Sequence, residues 1–159
     1  MTESLDPERM ACWRAYIEAS QRLFTQIEED LRADGLSFAD YHVLVLLSEA
    51  PRQRLRMGEL ASRLVFSPSR LTYQISAMQR RGLVTRQSCP DDRRGSEAVL
   101  TAAGLLALRD AAPHHLASVR THLMDDLDDA EVACLTRVFE RLGRRLHAAR
   151  DASSTPADN

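Results

Sequence analysis

The groups in this sequence that are spaced for chemistry are arginines, hydroxyls and one carboxamide. In the stretch SCPDDRRGSE, residues 88–97, two aspartates run directly into two arginines, Arg93 and Arg94. Pro90 and Gly95 bracket them as a turn would. Upstream lies SPSRLTYQISAMQRRGLV, in which Leu71, Ile75 and Met78 recur at helical spacing. That spacing leaves Ser69, Arg70, Thr72, Tyr73, Gln74, Ser76 and Ala77 on the other sides of a helix, with no acid among them. Guanidinium, amide and hydroxyl groups bond base edges and phosphate oxygens, and a carboxylate on the same face would repel phosphate.

Charge is distributed to match. The net charge is −2, yet residues 52–94 hold ten arginines against three acids, a local balance of +7. The remainder is acidic, so one face suits a polyanion and the rest avoids it. All 21 basic residues are arginine, which we ascribe to codon usage rather than to function.

Enzyme chemistry finds no support in the motifs. There is no GxSxG, phosphate loop, HExxH or paired CxxC. Cys12, Cys89 and Cys134 are odd in number and far apart, so they form no disulfide framework. Cys12 and Cys134 fall on apolar helices and are expected to be buried packing. Cys89 sits beside Arg86 and Arg93, which would lower a thiol pKa, but also beside Asp91 and Asp92, which would oppose this. It is therefore either a redox-sensing thiol or a tolerated turn residue. His114, His115 and His122, with Asp110, have a spacing that a metal could use, but spacing alone is weak evidence and ordinary surface histidines are the better explanation. No metal and no cofactor are expected.

The elements that must position these groups follow from periodicity. An apolar stripe of Met10, Trp13, Ile17, Phe24, Ile27 and Leu31 predicts a long helix over 8–33, started by Asp6-Pro7 and ended by Gly35. Ser37 caps a second helix, FADYHVLVLLSEA, apolar almost all round and so buried. RQRLR reads as a polar connector and MGELASRLV as a short helix. Ser67, Pro68 and Gly82 bound the next helix as cap, first residue and stop. LVTRQS and EAVLT alternate as the two strands of a hairpin around the opening stretch. Thr101 caps a helix through residue 127 that Pro113 kinks or breaks. Asp128 and Glu131 form a capping box for the last helix, which buries Val132, Leu135, Val138, Phe139, Leu142 and Leu146. The tail DASSTPADN, residues 151–159, is small and polar and is expected to be disordered. The polar N-terminus and the lack of any span-length apolar run point to a cytoplasmic protein.

Helix, helix, short helix, turn, acid-free helix and hairpin make a helix-turn-helix followed by a wing. MGELASRL, SPSRLTYQISAMQRRGLV and PDDRRGSEAVLT together resemble the MarR (multiple antibiotic resistance regulator) family of bacterial transcription factors, over roughly residues 10–148. The resemblance implies a mainly α fold with a small β-hairpin wing and N- and C-terminal dimerisation helices. It assigns 1–36 and 101–150 to dimerisation and 37–100 to the winged helix-turn-helix. It implies a homodimer that binds a pseudo-palindromic operator in double-stranded DNA, usually to repress, and releases it to a small molecule or oxidant. By position, Ser67, Ser69, Arg70, Thr72, Tyr73, Gln74 and Ser76 would face DNA. Asp92 would steady Arg93 or Arg94 in the minor groove. The family often has Asp where this chain has Cys89. Trp13, Tyr16, Tyr41 and His42 would line an effector pocket, although interface packing is the preferred reading of Trp13 and Tyr16. The rival reading is a winged-helix protein-interaction module that binds no DNA.

Overall fold

In the computed structural model, residues 5–89 and 92–154 are described, with side chains over 5–88 and 95–148. The chain divides into two compact units, Met1–Val119 and Arg120–Asn159.

The first unit begins with α1, Pro7–Arg32, whose Asp6 carboxylate accepts the Arg9 amide at 2.8 Å as its cap. Then come α2 (Phe38–Glu49), a 3₁₀ turn (Pro51–Gln53), β1 (Arg54–Arg56), α3 (Met57–Leu64) and α4 (Pro68–Arg80). The strands β2 (Val84–Cys89) and β3 (Asp92–Leu100) follow, and α5 runs over Ala102–His122. The sheet is antiparallel in the order β1-β3-β2, with Val84 paired to Leu100 and Leu55 to Ala98. α2 is the centre, as its all-round apolar sequence requires. Val43, Leu44 and Leu47 are fully buried, and around them pack Leu31, Leu60, Leu71, Ile75, Met78, Val84 and Ala98.

Three local expectations change. RQRLR is no mere connector: its last three residues form a strand, because Leu55 is buried between two outward arginines. Arg54 adds an ion pair to Glu97 at 3.6 Å. The two strands take in Cys89 and residues 92–96, which sequence alone assigned to the turn. α5 passes through Pro113 without a break and ends at His122, before a separate 3₁₀ turn at Met124–Asp126. Pro113 is exposed, so the backbone carbonyl it deprives of a partner can turn to water.

In the second unit, α6 spans Asp129–Ser154. Its capping box is formed as expected. The Asp128 carboxylate accepts the Glu131 amide at 2.8 Å, and the Glu131 carboxylate accepts the Asp128 amide at 2.9 Å. The expected tail is helical as far as Ser154, and 155–159 lie outside the described residues. No described helix is long and apolar enough to cross a membrane.

Two joints fix the winged helix. Val65 turns the chain between α3 and α4 at φ 56°, a left-handed conformation that costs a β-branched residue about 1–2 kcal/mol. Thr101 joins α5 to the α4–β2 turn. Its hydroxyl donates to the Gly82 and Leu83 carbonyls at 2.7 and 2.9 Å and accepts the Gly104 amide at 3.0 Å. Backbone approaches backbone there so closely that a Cβ on Gly104 would lie 2.0 Å from the Leu83 oxygen. Gly104→Ala is expected to cost at least about 2–3 kcal/mol. Val65→Gly, at a residue 72% exposed, is expected to gain roughly 0.5–1 kcal/mol. Denaturant melts of both variants check these signs.

Candidate nucleic-acid interface

The interface is built on α4. Ser67 starts the helix, its hydroxyl accepting the Arg70 amide at 3.2 Å, and Pro68 follows at the first position. Gly82, at φ 75°, stops it. Leu71, Ile75 and Met78 are buried beneath, none more than 1% exposed. Ser67, Ser69, Arg70, Thr72 and Tyr73 are all exposed, Tyr73 to 74%. The Arg70 guanidinium lies over the Phe66 ring, 3.9 Å from its centroid. This stack holds the arginine at the helix-turn-helix corner while its donors stay available. The Ser67 and Ser69 hydroxyls lie 3.2 Å apart.

Two members of the expected set are placed differently. Ser76 is half-buried, and its hydroxyl donates back to the Thr72 carbonyl at 2.8 Å. Gln74 is also half-buried and faces α2, donating from Nε2 to Asp40 Oδ1 at 2.6 Å. Asp40 is only 4% exposed. Its Oδ2 accepts the Ser37 amide at 2.9 Å and Arg81 Nη1 at 2.8 Å. Arg81 Nη2 also donates to the Gly35 carbonyl. Sequence reasoning did not find this cluster. The side-chain partners of Asp40 from α4 lie 34 and 41 residues away in the chain.

In the wing, Arg86 on β2 reaches across to β3, Nε donating to the Ser96 hydroxyl at 3.0 Å. The side chains of Cys89, Asp92, Arg93 and Arg94 lie outside the described residues, as do Pro90 and Asp91.

The four residues assigned to an effector pocket form two groups. Trp13 and Tyr16 pair along α1 with centroids 6.1 Å apart, and both are exposed. Tyr41 is buried, its ring 4.2 Å from His115 of α5. The His42 ring packs tilted against Phe38 with centroids 4.2 Å apart, and Phe24 of α1 meets the same Phe38 ring at 5.5 Å. Phe24, Phe38 and His115 therefore join Tyr41 and His42 in one aromatic cluster. Nearby, the Glu28 carboxylate accepts the Phe38 amide at 2.7 Å, and Asp30 accepts the Ser118 hydroxyl at 2.6 Å.

The adjacent histidines of α5 face different neighbours. His114 Nδ1 meets Asp34 Oδ1 at 2.8 Å, while His115 turns into the aromatic cluster, its Nδ1 buried without a hydrogen-bond partner. Among the described residues, no group of three or more His, Cys, Asp or Glu is arranged to hold a metal ion. Cys12 and Cys134 are exposed, correcting the expectation of buried packing: the N-terminal half of α1 and most of α6 turn apolar residues outward instead.

Burial lowers the pKa of His42, and burial together with the charge of His42 lowers that of His115. A histidine whose folded pKa is depressed stabilises the fold above its unfolded value, about 6.5, and loses that contribution as pH falls. The melting temperature is expected to decline as pH drops from 7.5 toward 5.5. His115→Gln is expected to flatten that decline, and an unchanged profile would show that the ring does not titrate against folding.

The comparisons with known proteins agree with this geometry. A family model described as "MarR family" matches residues 34–95. The structure of AbsC, a MarR family transcriptional regulator from Streptomyces coelicolor, superimposes with a TM-score of 0.88 at 40% identity, covering 92% of this chain and 99% of that one. Sco3205, a MarR family regulator from the same organism solved in complex with DNA, gives a TM-score of 0.88 at 35% identity and 92% coverage of both chains. Among curated proteins, the HTH-type transcriptional repressor YetL of Bacillus subtilis is 27% identical over 87% of this chain and 85% of its own.

Proposed function

The chain belongs to the MarR family of transcriptional regulators, and from that premise we propose that it is a cytoplasmic two-fold dimer that represses from a pseudo-palindromic operator. The observation that carries this is the exposed face of α4. It offers hydroxyls and a guanidinium, contains no acid, and rests on a buried apolar face that holds it rigid. A helix of this kind fits the major groove. Sco3205, solved with DNA, supports duplex as the partner, and the repressor YetL supports the sign of regulation.

In this reading Ser67, Ser69, Arg70, Thr72 and Tyr73 meet bases and phosphates, and Ser76 lies at the margin of the contact. Residues 37–100 are the DNA-binding region, and 1–36 with 101–150 make the dimer. Two exposed apolar stripes support the dimer: Trp13, Tyr16 and Phe24 on α1, and Val132, Phe139 and Leu146 on α6. A two-fold axis would set the two recognition helices about 34 Å apart, one DNA turn. Arg93 and Arg94 would enter the flanking minor groove, steadied by Asp92. An effector, a small molecule seated by Tyr41 and His42 or an oxidant acting at Cys89, would act by favouring a spacing that does not fit DNA.

Affinity for duplex is expected to fall steeply with salt, because each neutralised phosphate releases counterion. Arg93→Ala with Arg94→Ala is expected to weaken operator binding by about tenfold or more and to lower the salt slope, with the dimer intact. Fluorescence anisotropy across a salt series checks both. A flat salt response would instead favour a protein-interaction module.

A further inference from the structure

We infer that Gln74 serves DNA binding as a positioning residue rather than a base reader: with Asp40 and Arg81 it sets the angle at which α4 meets the groove. The inference rests on the DNA-binding reading above and concerns how the recognition helix is held.

Three donors converge on one buried carboxylate. Asp40, 4% exposed, takes Gln74 Nε2 at 2.6 Å from the middle of α4 and Arg81 Nη1 at 2.8 Å from its C-terminal cap. It also takes the Ser37 amide at 2.9 Å, and its own amide donates to the Ser37 hydroxyl at 3.0 Å. Arg81 extends the link to the Gly35 carbonyl in the α1–α2 turn. Two points along α4, more than a helical turn apart, are thereby tied to the start of α2. Apolar packing beneath α4 fixes its depth, and these charge-assisted bonds fix its rotation and tilt.

The same bonds take Gln74 out of the reading set. Glutamine reads adenine with its carbonyl oxygen and its amide nitrogen together. Here the nitrogen is committed to a carboxylate whose burial leaves it no replacement donor in water. Arg81 likewise commits a donor to Asp40 and another to the Gly35 carbonyl. Phe38 and His42 sit two residues either side of Asp40 on α2. A shift of α2 at the aromatic cluster would therefore reach α4 through this joint.

The test uses the full-length protein and duplexes selected by the wild type from a random-sequence pool. Affinities are measured for the best duplex and for each of its single-base variants. Gln74→Met, which keeps length and loses the donor, is expected to weaken all of these duplexes alike, by about tenfold. Gln74→Glu alone should be worse, because it sets two carboxylates together. Combining it with Asp40→Asn should recover most of the loss, since the amide at position 40 can donate to the acid at position 74. Melting curves and dimer size confirm that each variant folds. If Asp40→Asn does not fold, the Gln74→Met profile decides alone. Loss of preference at one base pair per half-site, with no recovery in the double variant, would overturn the inference and make Gln74 a base reader. A wild type that selects no duplex would overturn the DNA-binding reading, and this inference with it.

Discussion

A buried carboxylate is costly unless every lone pair that matters is met, and Asp40 is placed where meeting them assembles the fold. Its donors come from the cap of its own helix, the middle of the recognition helix and the arginine that ends that helix. Removing the arginine would leave that charge without its counter-ion, which is strongly destabilising for a buried carboxylate. α2 therefore cannot move independently of α4. The apolar residues around α2 supply most of the free energy of burial and little direction. Asp40 supplies direction.

Around that joint the molecule separates two kinds of surface. The acid-free side of α4 and the arginine-rich segment 52–94 suit a polyanion, while most of the acids lie elsewhere in the chain. The sheet holds the wing in register with the helix. β1 seats Leu55 in the core, and Thr101 with Gly104 locks the base of β2 and β3 against α5. On the other side, α1 changes character along its length. Ile27 and Leu31 enter the core, whereas Trp13, Tyr16 and Phe24 remain outside it. A helix that is half core and half uncovered suits a surface completed by a second subunit.

Much of this was legible in the sequence because it is local. Ser37, Ser67, Thr101 and the Asp128/Glu131 box announce helix starts, and each forms the expected bonds. The apolar face of α4 follows from spacing alone, and the motif run identified the family. What was missed is non-local. RLR is too short to read as a strand until β3 is beside it, and Gln74 looks like any outward polar residue until Asp40 is found beneath it. The aromatic cluster joins Phe24, Phe38 and His115 from three helices, whereas sequence linked Tyr41 and His42 with Trp13 and Tyr16. Of the two readings of Pro113, a kink or a break, the break does not occur, because a proline on an exposed helix face need not end the helix.

If the bond to Asp40 presents α4 to DNA, and not its outward polar set alone, that bond must persist in the complex. A structure of the protein bound to its selected duplex decides this. The Gln74 amide nitrogen is expected still within hydrogen-bond distance of Asp40, with Ser69, Arg70, Thr72 and Tyr73 against the major groove. Gln74 turned out to a base edge with Asp40 released, or α4 lying outside the groove, would contradict it.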